Sequence, residues 1–444
     1  MLIATPQTRL EVGHALEIQG LKRTGDEKNL VGWAAMNPRH PRNWSNSRKV
    51  YDVSILIILE FYTTAVSTSG ATAARNAQKH FGIDETLSVF LYVSTYLLAQ
   101  GIGSIALPPY SECYGRKKLY VGSTAVYSIF CVLISAAELP GAGAVGRLIT
   151  GFLSAVPTFV INGSIQDMFD AKEHTWLPLL YMAMSNLGVA MGPVMGAYIT
   201  AAWGWKWVFY VAAIVTGILT VLLLTIRESR PTVLLTREVR HLRHITGDYS
   251  LQALNPDRVP DIRSFARNFA FRPVQLLFTE PIIAAVSIVC GISTGLVYLF
   301  TDILPGVYES FGLTSTQASL PFLALGFGFL PNIVVPLFLT GFAINEFAVA
   351  LVGYMSDSYR AYSASGFAAV GLVRCVLAAS FPLFSGRMFS ELGPNGAMCV
   401  LAGLATGFCI LSPVLRIYGE RLRKSSKFAA HCVDVDAENT FERT

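Results

Sequence analysis

Apolar segments of about 20 residues recur along this chain, and each is long enough to cross a bilayer. Nine are placed at 52–71, 86–107, 119–138, 143–166, 177–201, 206–226, 282–304, 363–385 and 396–415. In hydrocarbon every backbone N–H and C=O needs a partner within the protein, so segments of this length and character fold as helices. The expected fold class is therefore an all-α membrane protein. Composition agrees: 52% of residues are hydrophobic and 14% are charged, whereas soluble domains carry about a quarter charged residues. The net charge of +5 suits membrane flanks and gives no reason to expect nucleic acid. The first 50 residues are polar, and no cleavable signal peptide is expected. Seven cysteines lack metal-like or paired spacing; Cys131, Cys290, Cys375, Cys399 and Cys409 lie in apolar stretches and read as small core residues. No G-x-x-x-x-G-K-[ST] string occurs, so no nucleotide or other cofactor is expected.

Basic residues set the direction of the spans. Arg42, Arg48 and Lys49 precede the first. Arg116, Lys117 and Lys118 lie between the second and third. Arg227, Arg230, Arg237, Arg240 and Arg243 follow the sixth, and Arg421, Arg423, Lys424 and Lys427 follow the last. With alternating spans these clusters share one side, expected to be cytoplasmic; Arg75, Lys79 and Arg387 are exceptions on the other side. The expected organisation is a cytoplasmic N-terminal segment (1–50), a six-span bundle (51–226), a cytoplasmic linker (227–280), a second bundle (281–418) and a cytoplasmic tail (419–444). In the linker, Leu234, Leu235, Val239 and Leu242 suit a short amphipathic helix lying on the membrane. The segment around Pro256 and Pro260 reads as irregular, and the residues after Phe428 as disordered.

Span five contains Gly188-Val189-Ala190-Met191-Gly192-Pro193-Val194-Met195-Gly196-Ala197. A glycine every fourth residue bares one face for close helix approach. Pro193 removes a mid-span donor, which a membrane helix tolerates when neighbours satisfy the freed group. Glu60, Asp302 and Glu346 are carboxylates within apolar stretches, and Arg147 lies in span four. Charges at membrane depth face a cavity or partner and are functional-site candidates. Glu60 leads as a proton-coupling site, followed by Asp302 and Glu346; structural hydrogen bonding is the competing role for each. Arg147 sits close enough to its span's end to snorkel to the outer surface instead. Phe61, Tyr62, Tyr92, Tyr96, Tyr181 and Tyr298 are candidates for an aromatic cavity lining, or for packing.

The span-five string resembles the antiporter signature of the major facilitator superfamily. Pro108-Pro109-Tyr110-Ser111-Glu112-Cys113-Tyr114-Gly115-Arg116-Lys117-Lys118 is similar to its loop signature, with Pro108 where the wider family has glycine. Arg147 followed by Thr150-Gly151 resembles its span-four motif, with Thr150 in place of glutamine. Further strings resemble fungal drug:proton antiporters of the twelve-span type: Asn37-Pro38, Pro41-Arg42-Asn43-Trp44-Ser45, Gly163-Ser164-Ile165-Gln166-Asp167-Met168-Phe169, Gly204-Trp205-Lys206-Trp207-Val208-Phe209, Leu276-Leu277-Phe278-Thr279-Glu280-Pro281 and Phe381-Pro382-Leu383-Phe384. The resemblance implies two bundles of inverted repeats around a cavity that opens alternately to each side. It implies proton-driven export of a small amphipathic drug, toxin or secondary metabolite across the plasma membrane, by a monomer and not an enzyme. It gives gating roles to Glu112, Gly115, Arg116, Lys117, Gly188, Gly192, Pro193, Gly196, Asp357 and Arg374. Two other readings stay open: an uptake carrier or uniporter on the same fold, and a transport-inactive membrane protein or incomplete gene product.

The stretch 319–355 is apolar throughout, with Glu346 its only charged residue from Ser319 to Met355. It exceeds one crossing, yet three need about 60 residues. Two crossings would place the basic tail outside, against the positive-inside rule. One broken crossing keeps the tail inside and gives ten spans. Relative to the twelve-span pattern, the region around the ninth span is expected to be missing and the second bundle shortened.

Overall fold

A computed structural model describes residues 16–23, 29–34, 36–136, 139–169, 176–254, 271–323 and 363–425. Span one is two helices, α1 (Asn46–Thr68) and α2 (Gly70–Phe81), divided at Ser69. Span two begins with α3 (Glu85–Val89), passes through a π turn at Phe90–Ser94 and continues as α4 (Thr95–Tyr114). Then follow α5 (Arg116–Ala136), α6 (Pro140–Met168), α7 (Trp176–Trp203) and α8 (Lys206–Thr225). The linker carries α9 (Pro231–Thr246) and the short α10 (Arg272–Thr279), and α11 (Pro281–Ser310) is the seventh span. A short α12 (Ser315–Ser319) precedes a 3-10 turn, and α13 (Ser363–Ser425) is broken at Gly393, whose φ of 69° divides the last two expected spans. Among the described residues, seven helices are long and apolar enough to cross a membrane. Large apolar side chains such as Ile102, Ile129, Val145, Ile218, Val221 and Ile288 are exposed on the bundle's outside, which suits a lipid solvent rather than water. Glu346 and Asp357, and the stretch 324–362 on which the expected shortening rests, lie outside the described residues.

The bare face of α7 packs on α1. A side chain at Gly188 would collide with the Phe61 carbonyl, and one at Gly192 with the Thr68 hydroxyl and the Ala65 carbonyl. A Cβ at Gly196 would sit 3.2 Å from those of Ser69 and Thr72. Pro193 has no N–H to give to the carbonyl of Val189, four residues earlier. That carbonyl lies 3.2 Å from the Thr68 hydroxyl, which shares its proton with the Thr64 and Ala65 carbonyls of its own helix at 3.3 Å. The missing bond within α7 is thus replaced by one across the seam, and α7 continues through Pro193 as a single helix.

The linker corrects the expected membrane-surface helix. Leu235, Val239 and Leu242 of α9 are buried against Leu16, Leu21, Val31 and Leu251, not laid on lipid. Strands β1 (Leu21–Arg23) and β2 (Leu30–Trp33) pair antiparallel, with Leu21 opposite Trp33, and β3 (Gln252–Ala253) joins β2 in parallel. The polar N-terminal segment therefore builds a small sheet that covers the apolar face of α9. Apart from this small sheet, the regular elements among the described residues are helices, as expected. Asn37, from the first pre-membrane string, is buried and donates to the Gln19 and Gly20 carbonyls at 2.8 Å, while Trp33 Nε1 donates to the Pro231 carbonyl at 3.2 Å. Of the cysteines, Cys131, Cys290 and Cys375 are buried as expected; Cys399 is exposed and Cys409 has no described side chain.

Replacing Gly192 with leucine is expected to part α7 from α1, at a cost of about 1–3 kcal/mol for overpacking. Detergent-solubilised Gly192→Leu should melt below the parent while still inserting into membranes; an unchanged melting temperature would place this face against lipid.

Candidate functional site

Glu60, Arg374 and hydroxyl side chains enclose a cavity of about 110 Å³ between α1, α4, α6, α7, α11 and α13. Glu60 is 1% exposed. Three hydroxyls from three helices converge on its carboxylate: Thr64 (3.1 Å) and Ser185 (2.9 Å) donate to Oε1, and Thr158 (3.2 Å) donates to Oε2. Gln100 Nε2 donates to Thr158 Oγ1 at 3.3 Å, and the Cys375 thiol approaches Gln100 Oε1 at 3.7 Å, extending the network to α4 and α13. Arg374, expected as a gating residue, lines this cavity; its guanidinium lies 5.1 Å from the Phe159 ring centre and acts electrostatically on Glu60. An ionised carboxylate only accepts hydrogen bonds, whereas a protonated one must also donate. Proton uptake at Glu60 would therefore weaken the charge that draws the three hydroxyls together and add a donor to the network.

The cavity is more polar than the expected aromatic one. Of the six proposed lining aromatics, Tyr96 and Tyr298 line it. Tyr62, Tyr92 and Tyr181 are buried in packing, with the Tyr181 hydroxyl donating to the Thr158 carbonyl at 2.5 Å, and the Phe61 backbone meets Gly188. Thr63, Ser67, Asn186 and Thr294 take their place. These short polar residues within apolar spans were the available signal for the site, as Thr158 and Ser185 were for the partners of Glu60.

Arg147 does not snorkel. It is 1% exposed, and its guanidinium stacks 4.1 Å from the centre of the Tyr96 ring. Nε donates to the Tyr92 carbonyl (2.7 Å) in the π turn of span two, and Nη2 to the Ser67 carbonyl (3.3 Å) where α1 ends. Gly70 leaves room for it: a Cβ there would lie 2.5 Å from Nη2. Among the described residues Arg147 makes no ion pair. It braces two irregular points in neighbouring spans, and Thr150 beside it bonds to the carbonyl of Gly146 in its own helix. From the far side of the cavity Tyr298 shares a 2.7 Å hydroxyl bond with Ser67, and Ser94 donates to the Ala379 carbonyl at 2.7 Å, so both bonds cross from the first half to the second. Asp302 stands apart from the cavity, half-buried, and accepts from Ser385 at 3.2 Å.

A second polar cluster sits at the basic end. Gly115 turns with φ 100°, and the N-terminus of α5 that follows is held by Glu228, which accepts from the N–H groups of Arg116 (2.8 Å) and Lys117 (3.1 Å). Glu112, expected as a gating residue, is half-buried one turn earlier and is not the acid that holds this helix start. Arg116 pairs with Asp167 at 2.6 Å, and Arg230 reaches the same carboxylate at 3.2 Å. Gly163 is small because the Arg116 guanidinium lies over it. The Lys117 ammonium donates to the Leu224 carbonyl at the end of α8 (2.8 Å). The bonds of Glu228 to Arg116 and of Arg230 to Asp167 escaped the sequence reading because these partners are over 50 residues away.

Comparison with known proteins places this arrangement. Efflux pump radE of Floropilus chiversii is 27% identical over 487 residues, covering 96% of this chain and 90% of the relative. The MFS-type transporter penM of Penicillium rubens (strain ATCC 28089 / DSM 1075 / NRRL 1951 / Wisconsin 54-1255) is 29% identical over 483 residues, covering 95% of each. Both spans exceed the 444 residues of this chain, so the relatives carry stretches with no counterpart here. Among solved structures, a bacterial homologue of the human lysosomal transporter Spinster superposes with a TM-score of 0.55 at 15% identity, covering 86% of this chain and 92% of that one. The family profile described as Major Facilitator Superfamily matches residues 54–426. With the span-five seam and the enclosed polar cavity in place, the chain belongs to the major facilitator superfamily of membrane transporters.

Proposed function

We propose that this transporter exports small amphipathic compounds in exchange for protons, by alternating access. The observation that carries the coupling is the Glu60 carboxylate, enclosed in the cavity by hydroxyls from three helices and facing Arg374. Export is supported by the efflux relative, and the polar lining favours compounds that combine an apolar body with hydrogen-bonding groups. In this reading a proton entering from outside neutralises Glu60. The three hydroxyls no longer share one acceptor, and α1 loosens from α6 and α7. Substrate leaves as the proton arrives, and deprotonation towards the basic side resets the network. The basic end, with the Arg116–Asp167–Arg230 cluster, is cytoplasmic in this scheme. The working membrane is the plasma membrane and the working unit a monomer. Asp302 is the next coupling candidate.

A second reading, a transport-inactive membrane protein, is favoured by the stretches of radE and penM that have no counterpart in this chain, together with the single apolar stretch of 319–355 where the twelve-span pattern needs more. Uptake on the same fold is a third reading, distinguished by the direction of flux.

Cells expressing the protein should accumulate less of an amphipathic dye than controls, and a protonophore should abolish the difference. Export that survives the protonophore would sink antiport, and absence of flux from well-folded protein would favour the inactive reading. Glu60→Gln keeps the side chain's size but cannot titrate. It should bind substrate and lose dependence on the pH gradient; an unchanged pH profile in vesicles would move the coupling site to Asp302. A tag after Thr444 should be reached only in permeabilised cells, as ten spans require; labelling of intact cells would refute that count.

A further inference from the structure

A second and larger cavity, about 860 Å³, lies between the small sheet domain, the start of α5 and the end of α8. Its walls carry five basic side chains, Arg39, Lys117, Lys118, Arg227 and Arg237, against two acidic ones, Glu228 and Glu238. Both acids are engaged: Glu238 by Arg39, and Glu228 by the backbone N–H groups that open α5. The Lys117 ammonium is held by the Leu224 carbonyl. Among the described residues, Lys118, Arg227 and Arg237 make no ion pair, and Arg227 lies 5.8 Å from the centre of the Trp44 ring. Three unpaired cations thus face one concavity.

The rest of the lining is apolar. Val121 on α5, Leu224 and Ile226 at the end of α8, and Leu234 on α9 form it, with Gly122 leaving a gap in the α5 wall. Val121 and Leu224 continue directly into the outward faces of the two spans, where Val126, Ile129, Ile218, Val221 and Leu224 are exposed. Those faces are built for acyl chains. The cavity is therefore a cationic cup at the membrane-water boundary, with a lipid-facing strip running down from it. The positive-inside rule accounts for which side the charges occupy. It does not account for a walled cup in which three cations make no ion pair among the described residues beside that strip.

We propose that this cup binds the phosphate headgroup of an anionic glycerophospholipid, with Lys118, Arg227 and Arg237 on the phosphate and the acyl chains along α5 and α8. Basic pockets of this kind on the cytoplasmic side recognise phosphorylated lipid headgroups. One wall comes from the linker helix and the sheet domain, the other from the first bundle. Bound lipid would tie the two together at the turn that carries Arg116.

The test uses purified full-length protein in detergent, titrated with short-chain phosphatidylinositol phosphate and followed by thermal unfolding. Phosphatidylcholine of the same chain length is the neutral control, and soluble inositol phosphate the lipid-free one. The anionic lipid should raise the melting temperature and both controls should leave it unchanged. Lys118→Gln with Arg237→Gln should weaken binding about 30-fold, from roughly 1 kcal/mol per basic residue near an anionic headgroup. The charge-conserving pair Lys118→Arg with Arg237→Lys should bind like the parent. If the neutralised pair does not fold, Arg227→Gln alone should lose about fivefold. Equal stabilisation by phosphatidylcholine, or unchanged affinity in the neutralised variants, would overturn the proposal. Equal binding of soluble inositol phosphate would overturn the lipid assignment in favour of a free-phosphate site.

Discussion

The first bundle depends on one replaced hydrogen bond. Pro193 removes a donor from the middle of α7, and in hydrocarbon no water can take its place. The Thr68 hydroxyl supplies the proton from the neighbouring span, and Gly192 is bare so that it can reach. Around this contact the other irregular features gather. Span one divides at Ser69, one residue beyond Thr68, and the Ser67 carbonyl there is a partner of Arg147. Arg147 in turn holds the π turn of span two. Irregular points in spans one, two and five thus compensate one another, which is why each is tolerated so far from water.

Glu60 lies two turns along α1 from this junction, on the face that lines the cavity. Its hydroxyl partners come from α1, α6 and α7, the helices whose relative positions the seam and Arg147 also fix. The carboxylate and the seam therefore act on the same three helices. Under the proposed coupling, a change in charge at Glu60 would act on the same helices that approach most closely at the seam.

Much of this was legible from residue order. Apolar lengths gave the spans, and the glycine period of span five gave a close-packed face, because both are local consequences of a 1.5 Å rise and a missing side chain. Gly163 and Asp167 stood out only as part of a string; their reason, room for and charge opposite Arg116, needed α6 and α5 placed together. Tyr96 and Tyr298 line the cavity as expected, but the rest of the aromatic lining failed for a comparable reason. Tyr62, Tyr92 and Tyr181 have the right chemistry for a cavity, but which way a tyrosine faces on a span apolar all round is decided by its neighbours. The sheet was invisible because its strands are only two to four residues long and the third lies over 200 residues from its partner, so no local pattern marks them. The helix they cover did have the expected apolar stripe, but a stripe does not say whether lipid or protein covers it.

The bond between Thr68 and Val189 also bears on how such a chain can change over generations. A proline that discards its helix's own bond gives a residue 125 positions earlier a carbonyl to satisfy. Loss of the Thr68 hydroxyl alone orphans a carbonyl inside the bilayer. Loss of Pro193 first restores the helix's own donor and releases position 68 from its duty. The order of the two substitutions therefore matters: the path through the second position passes over harmless ground only after the first has been crossed. The antiporter signature is in this sense not a string on one helix but half of a pair, and its other half is written in span one.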